Sequence, residues 1–264
     1  GEATRLLQER LLALGFWLQS ADGTYGTTTR QAVMAFQKYN LMALPVVDED
    51  GRLEGIMTAD DLIDVLQEEA TEDMYRMAGV GEDERVFSPV RTSVRRRLPW
   101  MLVNLVTALV AAATVGLFDE TIGKAAVLAL FMPVVAGMGG NAGTQTATIA
   151  VRSIALGDLD VPDVFRACRK EIMVAMANGL AIGLTAGLGA YAWKQNETLS
   201  LVIAAALFLN ICAATMGGVL IPLGLKAVRV DPALAANIFV TTVTDVMGFV
   251  FFLGLASLVV DRIG

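Results

Sequence analysis

Asp245 is the one charged residue between Pro232 and Val260, a stretch long enough to cross a bilayer, which takes about 20 apolar residues. An ionised carboxylate held in hydrocarbon costs several kcal/mol, so it normally faces a protein interior or a water-filled path, where it meets a cation, a proton or a basic residue. The apolar segments hold no internal lysine, and Arg152 falls near the end of its own segment. A permeating cation is therefore the leading partner. The alternative is a protonated Asp245 that hydrogen-bonds a neighbouring threonine and serves helix packing alone. Asn237, Thr241 and Asp245 are spaced by four and share one helical face, which lines up an amide, a carbonyl and a carboxylate along a path. Thr242 and Thr244 lie close to that face. Oxygen ligands without thiolate or imidazole favour Mg, Ca or Mn over zinc or copper.

A second group sits in residues 133–145, PVVAGMGGNAGTQ, where a proline, four glycines, Asn141, Thr144 and Gln145 interrupt a membrane segment. Glycine-rich backbone at that depth is tolerated where it is buried in protein or lines a cavity, and its amides can bond the water shell of an ion. The sequence predicts a broken span here. A third group is acidic: from Asp48 to Glu84 only Arg52 and Arg76 oppose a run of carboxylates. Such a segment attracts divalent cations and repels nucleic acid. Asp60, Asp64 and Glu68 fall at i, i+4 and i+8 of one helix, where like charges repel until a counter-ion neutralises them. A plain solvated face is the alternative.

The elements that must carry these groups follow from composition and periodicity. The chain has 264 residues, 55% of them hydrophobic, with mean hydropathy +0.58, the signature of a multi-span membrane protein with a polar head. The absence of histidine excludes imidazole catalysis and histidine-rich metal sites. Cys168 and Cys212 suit reduced packing residues better than a disulfide framework. Five spans are expected at residues 98–118, 125–156, 172–193, 199–225 and 232–260. Arg91, Arg95, Arg96 and Arg97 precede the first span and mark the cytoplasmic side, and Arg166, Arg169, Lys170, Lys226 and Arg229 agree as the spans alternate. The N-terminus is then cytoplasmic and the C-terminus outside. The first residues are amphipathic rather than a basic start with an apolar run, so no signal peptide is expected. Gly179, Gly183 and Gly187 repeat every four residues and permit close helix contact. Met216, Gly217, Gly218 and Pro222 suggest a bend in the fourth span.

The head reads as two partial modules. LQERLLALGFWLQSADGTYGTTTRQAVMAFQ is a helical hairpin about the turn DGTYG and resembles the peptidoglycan-binding-like domain of bacterial wall enzymes over residues 4–37, without its last helix. LPVVD, a turn, LEGIMT and ADDLIDVLQEEA give strand, strand and helix, which looks like the second half of a CBS domain. The segment 31–40 fits both patterns. The expected division is a hairpin at 1–38, a partial CBS domain at 39–80, a basic connecting helix at 81–97 and the membrane domain at 98–264. The fold class is thus an all-α membrane protein with five transmembrane helices per subunit and a small α/β cytoplasmic head.

From about residue 39 to the end the chain resembles the MgtE family of bacterial magnesium channels, through MPVVAGMGGNAGTQT, ALGDL and DPALAANIFVTTVTDVMG. The resemblance implies two identical subunits around one pore, with Asp245 as the central ion contact and Asn237 and the Thr241 carbonyl nearby. It implies that Asn141 and Gln145 border the pore. It also implies regulatory Mg²⁺ sites on Asp61, Asp64, Glu69, Glu72 and Asp73, and equates the basic segment 88–98 with the family's plug helix. The family's helical N-terminal domain, first CBS domain and opening half of the second have no counterpart in this sequence. The function expected is Mg²⁺ transport across the bacterial plasma membrane, with Mn²⁺ and Co²⁺ permeation left open. An intramembrane aspartyl hydrolase would want a second carboxylate at that depth, and none is present. A membrane-tethered wall-binding module would require the head outside.

Overall fold

The computed structural model describes residues 43–47, 53–58, 60, 63, 71–72, 74–80 and 84–263. In the head, β1 (Ala43–Val47) pairs antiparallel with β2 (Leu53–Thr58), Ala43 opposite Thr58, with a register shift at Val46/Val47. The two strands are those expected from LPVVD and LEGIMT. The helix that follows stops at Gly79, whose φ of 68° is open to glycine without strain. Gly79 N–H bonds the Arg76 carbonyl and Val80 N–H bonds the Tyr75 carbonyl, which closes the helix end as a Schellman motif.

The membrane part consists of α1 (Val90–Gly116), a short α2 (Asp119–Lys124), a 3₁₀ turn at Ala126–Leu130, then α3 (Met132–Ala155), α4 (Val164–Lys194), α5 (Glu197–Ala227) and α6 (Pro232–Ser257). Five of these segments are long and apolar enough to cross a membrane. The chain is a multi-pass membrane protein built on α-helices.

Two expectations are corrected. The basic connecting segment and the first span are one uninterrupted helix, α1, which passes through Pro99 without a break. At 27 residues it is about 40 Å long against about 30 Å of hydrocarbon, so its first turns, with Arg91, Arg95 and Arg96, extend beyond the apolar slab. The glycine-rich segment 133–145 is also continuous helix within α3, and the irregular part of the second span lies before it, at the 3₁₀ turn Ala126–Leu130. Pro133 falls in the first turn of α3, where its missing N–H costs nothing. Two of the four glycines, Gly139 and Gly143, are pressed by neighbouring helices: a Cβ at Gly143 would stand 2.7 Å from Val240 Cγ1 on α6. Tertiary contact outweighs their low helix propensity.

Helix α5 is the centre of the bundle, packed by α3, α4 and α6 and more than half buried, while α1 rests mainly on α6 and is exposed around most of its girth. Leu128, Val135, Ile203, Leu207, Phe252 and Leu253 form the fully buried core. The α4–α5 seam is set by the predicted glycine repeat: a Cβ at Gly183 would lie 2.6 Å from the Ala204 carbonyl oxygen. Cys168 and Cys212 are free thiols. Glu84 is buried under the start of α1 and accepts from Arg97 Nη2 at 2.7 Å. The Ser93 hydroxyl and Arg97 hold its carboxyl below the usual range. This clasp is complete above the ordinary glutamate range and fades as pH falls through the lowered value.

Candidate functional site

Helix α6 starts on Asp231, whose Oδ1 accepts from Ala233 N–H at 2.9 Å and caps the orphan donors of the first turn. Above that cap Asn237, Thr241 and Asp245 rise on one face, as their spacing requires, and all three line one cavity of about 260 Å³. Its other walls come from α1, through Asn104, Thr107 and Ala108, and from the end of the head helix, through Met77, Ala78 and Gly79. Among the described residues no side chain hydrogen-bonds or ion-pairs with Asp245, which is half-buried.

The threonines around the carboxylate bond their own helix. Thr241 donates to the Asn237 and Ile238 carbonyls at 3.0 Å each, and Thr242 donates to the Ile238 carbonyl at 2.7 Å. With their protons spent on the helix backbone, their oxygens present lone pairs to the cavity. The Thr241 carbonyl accepts the Thr244 hydroxyl at 2.9 Å. Asn237 Oδ1 accepts from the Thr144 hydroxyl at 3.3 Å, which ties the GGNAGTQ segment to the same face. Six waters at roughly 30 Å³ each occupy about 180 Å³, so the cavity has room for a divalent cation with its first water shell. A small hard cation that dehydrates reluctantly suits such a space.

Sequence reasoning placed Asn237, Thr241 and Asp245 together, and the structure gathers them. Asn141 and Gln145 lie on the exposed surface of the subunit, outside this cavity. Glu72 is half-buried and pairs with Arg76 on the next turn, while Asp61, Asp64, Glu69 and Asp73 lie outside the described residues. No cluster of three or more metal-ligating acids or thiols forms among the described residues. The reading of the sequence missed Asn104 and Thr107. Their signal was there: two polar residues three apart in the otherwise apolar LVNLVTAL face the same way on a helix. It missed Met77 to Gly79 because only the folded chain brings them to α6. Arg76 bonds Asp231, the α6 cap, and Met77 packs on Val151, Ala233 and Ala236.

Thr144, Asn237 and Asp245 all fall within residues 132–255, which match the family model MgtE, described as a divalent cation transporter. The membrane region thus carries an MgtE-type domain over those residues. A peptidoglycan binding domain model matches residues 1–43 and a CBS domain model residues 24–68, so the two overlap on the segment that both sequence patterns share. The chain is 32% identical over 221 residues to the protein of Bacillus subtilis named Magnesium transporter MgtE, covering 84% of this chain and 49% of that protein. It is 34% identical over 240 residues to the like-named protein of Thermus thermophilus, covering 90% and 53%. With that of Enterococcus faecalis it shares 32% over 233 residues, 88% and 51%. The chain thus spans about half the length of the MgtE relatives it matches.

Proposed function

We propose that the chain conducts Mg²⁺ across a bacterial plasma membrane, as a homodimer, with Asp245 as the central contact of the permeating ion. The observation that carries this reading is a carboxylate unpartnered among the described residues, in a cavity of about 260 Å³ among oxygen donors, on the helix that the MgtE match covers. The relatives' names as magnesium transporters support the choice of ion. Support for a second copy comes from Asn141 and Gln145: amides exposed at membrane depth fit a lumen shared between subunits better than lipid. The largely exposed α1 fits the same arrangement. The reading is tested by growth rescue of a bacterial strain dependent on high external Mg²⁺. Expression of the chain restores growth at low Mg²⁺; an inserted protein that gives no rescue overturns it.

The acidic stretch with Asp61, Asp64, Glu69, Glu72 and Asp73 is proposed as a Mg²⁺-responsive sensor. What supports it is the route from that stretch to the pathway: Glu72 pairs with Arg76, Arg76 with Asp231 at the start of α6, and Met77 to Gly79 wall the cavity. Partly exposed pairs of this kind contribute about 0.2–1 kcal/mol, a factor of up to about five in an equilibrium. In Arg76→Ala, a cysteine introduced at Thr241 is expected to react with a small thiol reagent up to about fivefold faster. An unchanged rate would show that the pair does not hold the linker over the cavity.

The head, divided as 1–38, 39–80 and 81–97 ahead of the membrane domain 98–264, is placed in the cytoplasm, away from peptidoglycan. Arg91, Arg95, Arg96 and Arg97 before the first span support that side. With Cys168 and Cys212 replaced by serine, Ser20→Cys is expected to resist a membrane-impermeant thiol reagent in intact cells. Labelling there would put the head outside and reopen the wall-binding alternative.

A further inference from the structure

Asn210 is an amide with no exposed surface in the middle of α5. Its Nδ2 donates to the Val135 carbonyl on α3 at 2.9 Å, and its Oδ1 has no hydrogen-bond partner among the described residues. Space for the amide exists only because two other helices place glycines beside it. A Cβ at Gly139 on α3 would stand 2.2 Å from Nδ2, and one at Gly248 on α6 would stand 2.6 Å away. Packing alone does not account for the residue, since it buries an acceptor that has no partner among the described residues.

Its position along the α3–α6 seam does. Three contacts follow one another as numbering falls on α3 and rises on α6. Thr144 meets Asn237, Gly143 faces Val240 and Thr244, and Gly139 and Gly248 close on Asn210. Asp245 lies between the second and third contacts, three residues or about 4.5 Å along the axis from Gly248. At Gly143 the side chains of Val240 and Thr244 fix the seam, but beyond it Gly139 and Gly248 meet the Asn210 amide instead of a side chain of the facing helix. The Asn210 wedge and its bond to Val135 supply the register there.

We propose that Asn210 is a positioning residue that sets the α3–α6 register, and through it the placement of Asp245 against the opposing oxygen donors. This rests on the reading of the α6 face as an ion pathway. The test uses Asn210→Leu and Asn210→Ala in the full chain with Cys168 and Cys212 changed to serine. The first readout is disulfide formation between Thr144→Cys and Asn237→Cys, which needs no transport. The second is Mg²⁺ flux into proteoliposomes against Mg²⁺ concentration, without the added cysteines.

Loss of one hydrogen bond predicts cross-linking about fivefold slower and a half-saturating Mg²⁺ concentration about fivefold higher. Unchanged cross-linking together with unchanged half-saturation in both variants overturns the proposal. So does a loss of thermal stability with half-saturation unmoved, which would make Asn210 a packing residue only. If the unsubstituted chain carries no Mg²⁺, the pathway reading fails by itself, and the register claim is decided by cross-linking.

Discussion

Asp245→Ala is expected to abolish Mg²⁺ uptake while the five helices still insert. A dication held one water layer from a carboxylate, with charges about 4 Å apart, interacts by about 8 kcal/mol at an effective dielectric constant of 20. If solvent leaves only a quarter of that, about 2 kcal/mol, occupancy still falls about thirtyfold without the charge. Among the described residues no other acid lines the cavity to compensate. Asp245→Asn keeps the shape and removes the charge, so its uptake is expected to fall with that of the alanine variant. Uptake of the natural size in either, at matched membrane levels, would return Asp245 to the packing role that the sequence left open.

The second large effect is structural. Gly183→Leu is expected to prevent accumulation of folded protein, because its Cβ alone would lie 2.6 Å from the Ala204 carbonyl oxygen, a backbone atom that cannot swing aside. Overpacking of this kind costs about 1–3 kcal/mol per site, and more where helix backbones must separate. Gly254→Ala is the matched control, since nothing lies within 4 Å of the Cβ it would add. Size-exclusion profiles and melting in detergent compare the two; a monodisperse Gly183→Leu protein with an unchanged melting point would mean that the α4–α5 seam is looser than its geometry.

What the sequence could show follows from what is local. Asn237, Thr241 and Asp245 share a face because one helix carries them, so spacing by four was enough. The hairpin β1–β2 was legible from two short apolar strands around an acidic turn. The glycines of α3 misled because, in isolation, they read as weak helix and as breaks. The role of Gly139 and Gly143 appears only when Asn210, Val240 and Thr244 press on them from other helices. Met77 and Gly79 were out of reach for the same reason, since nothing near them in sequence points to α6. Asn104 and Thr107 were legible and overlooked, because the basic turns before them drew the reading toward orientation. Asn210 stood as a lone amide in LFLNICA, and only its two glycine neighbours give it a task.

The central claim is that Mg²⁺ passes the Asp245 face, and it is tested most directly by Mg²⁺ entry into proteoliposomes that hold the purified chain and an internal Mg²⁺ indicator. The account predicts entry driven by an inward Mg²⁺ gradient in vesicles with the unsubstituted chain and none above empty vesicles with Asp245→Asn. Equal entry in the two, or no entry in either with folded protein present, would contradict it.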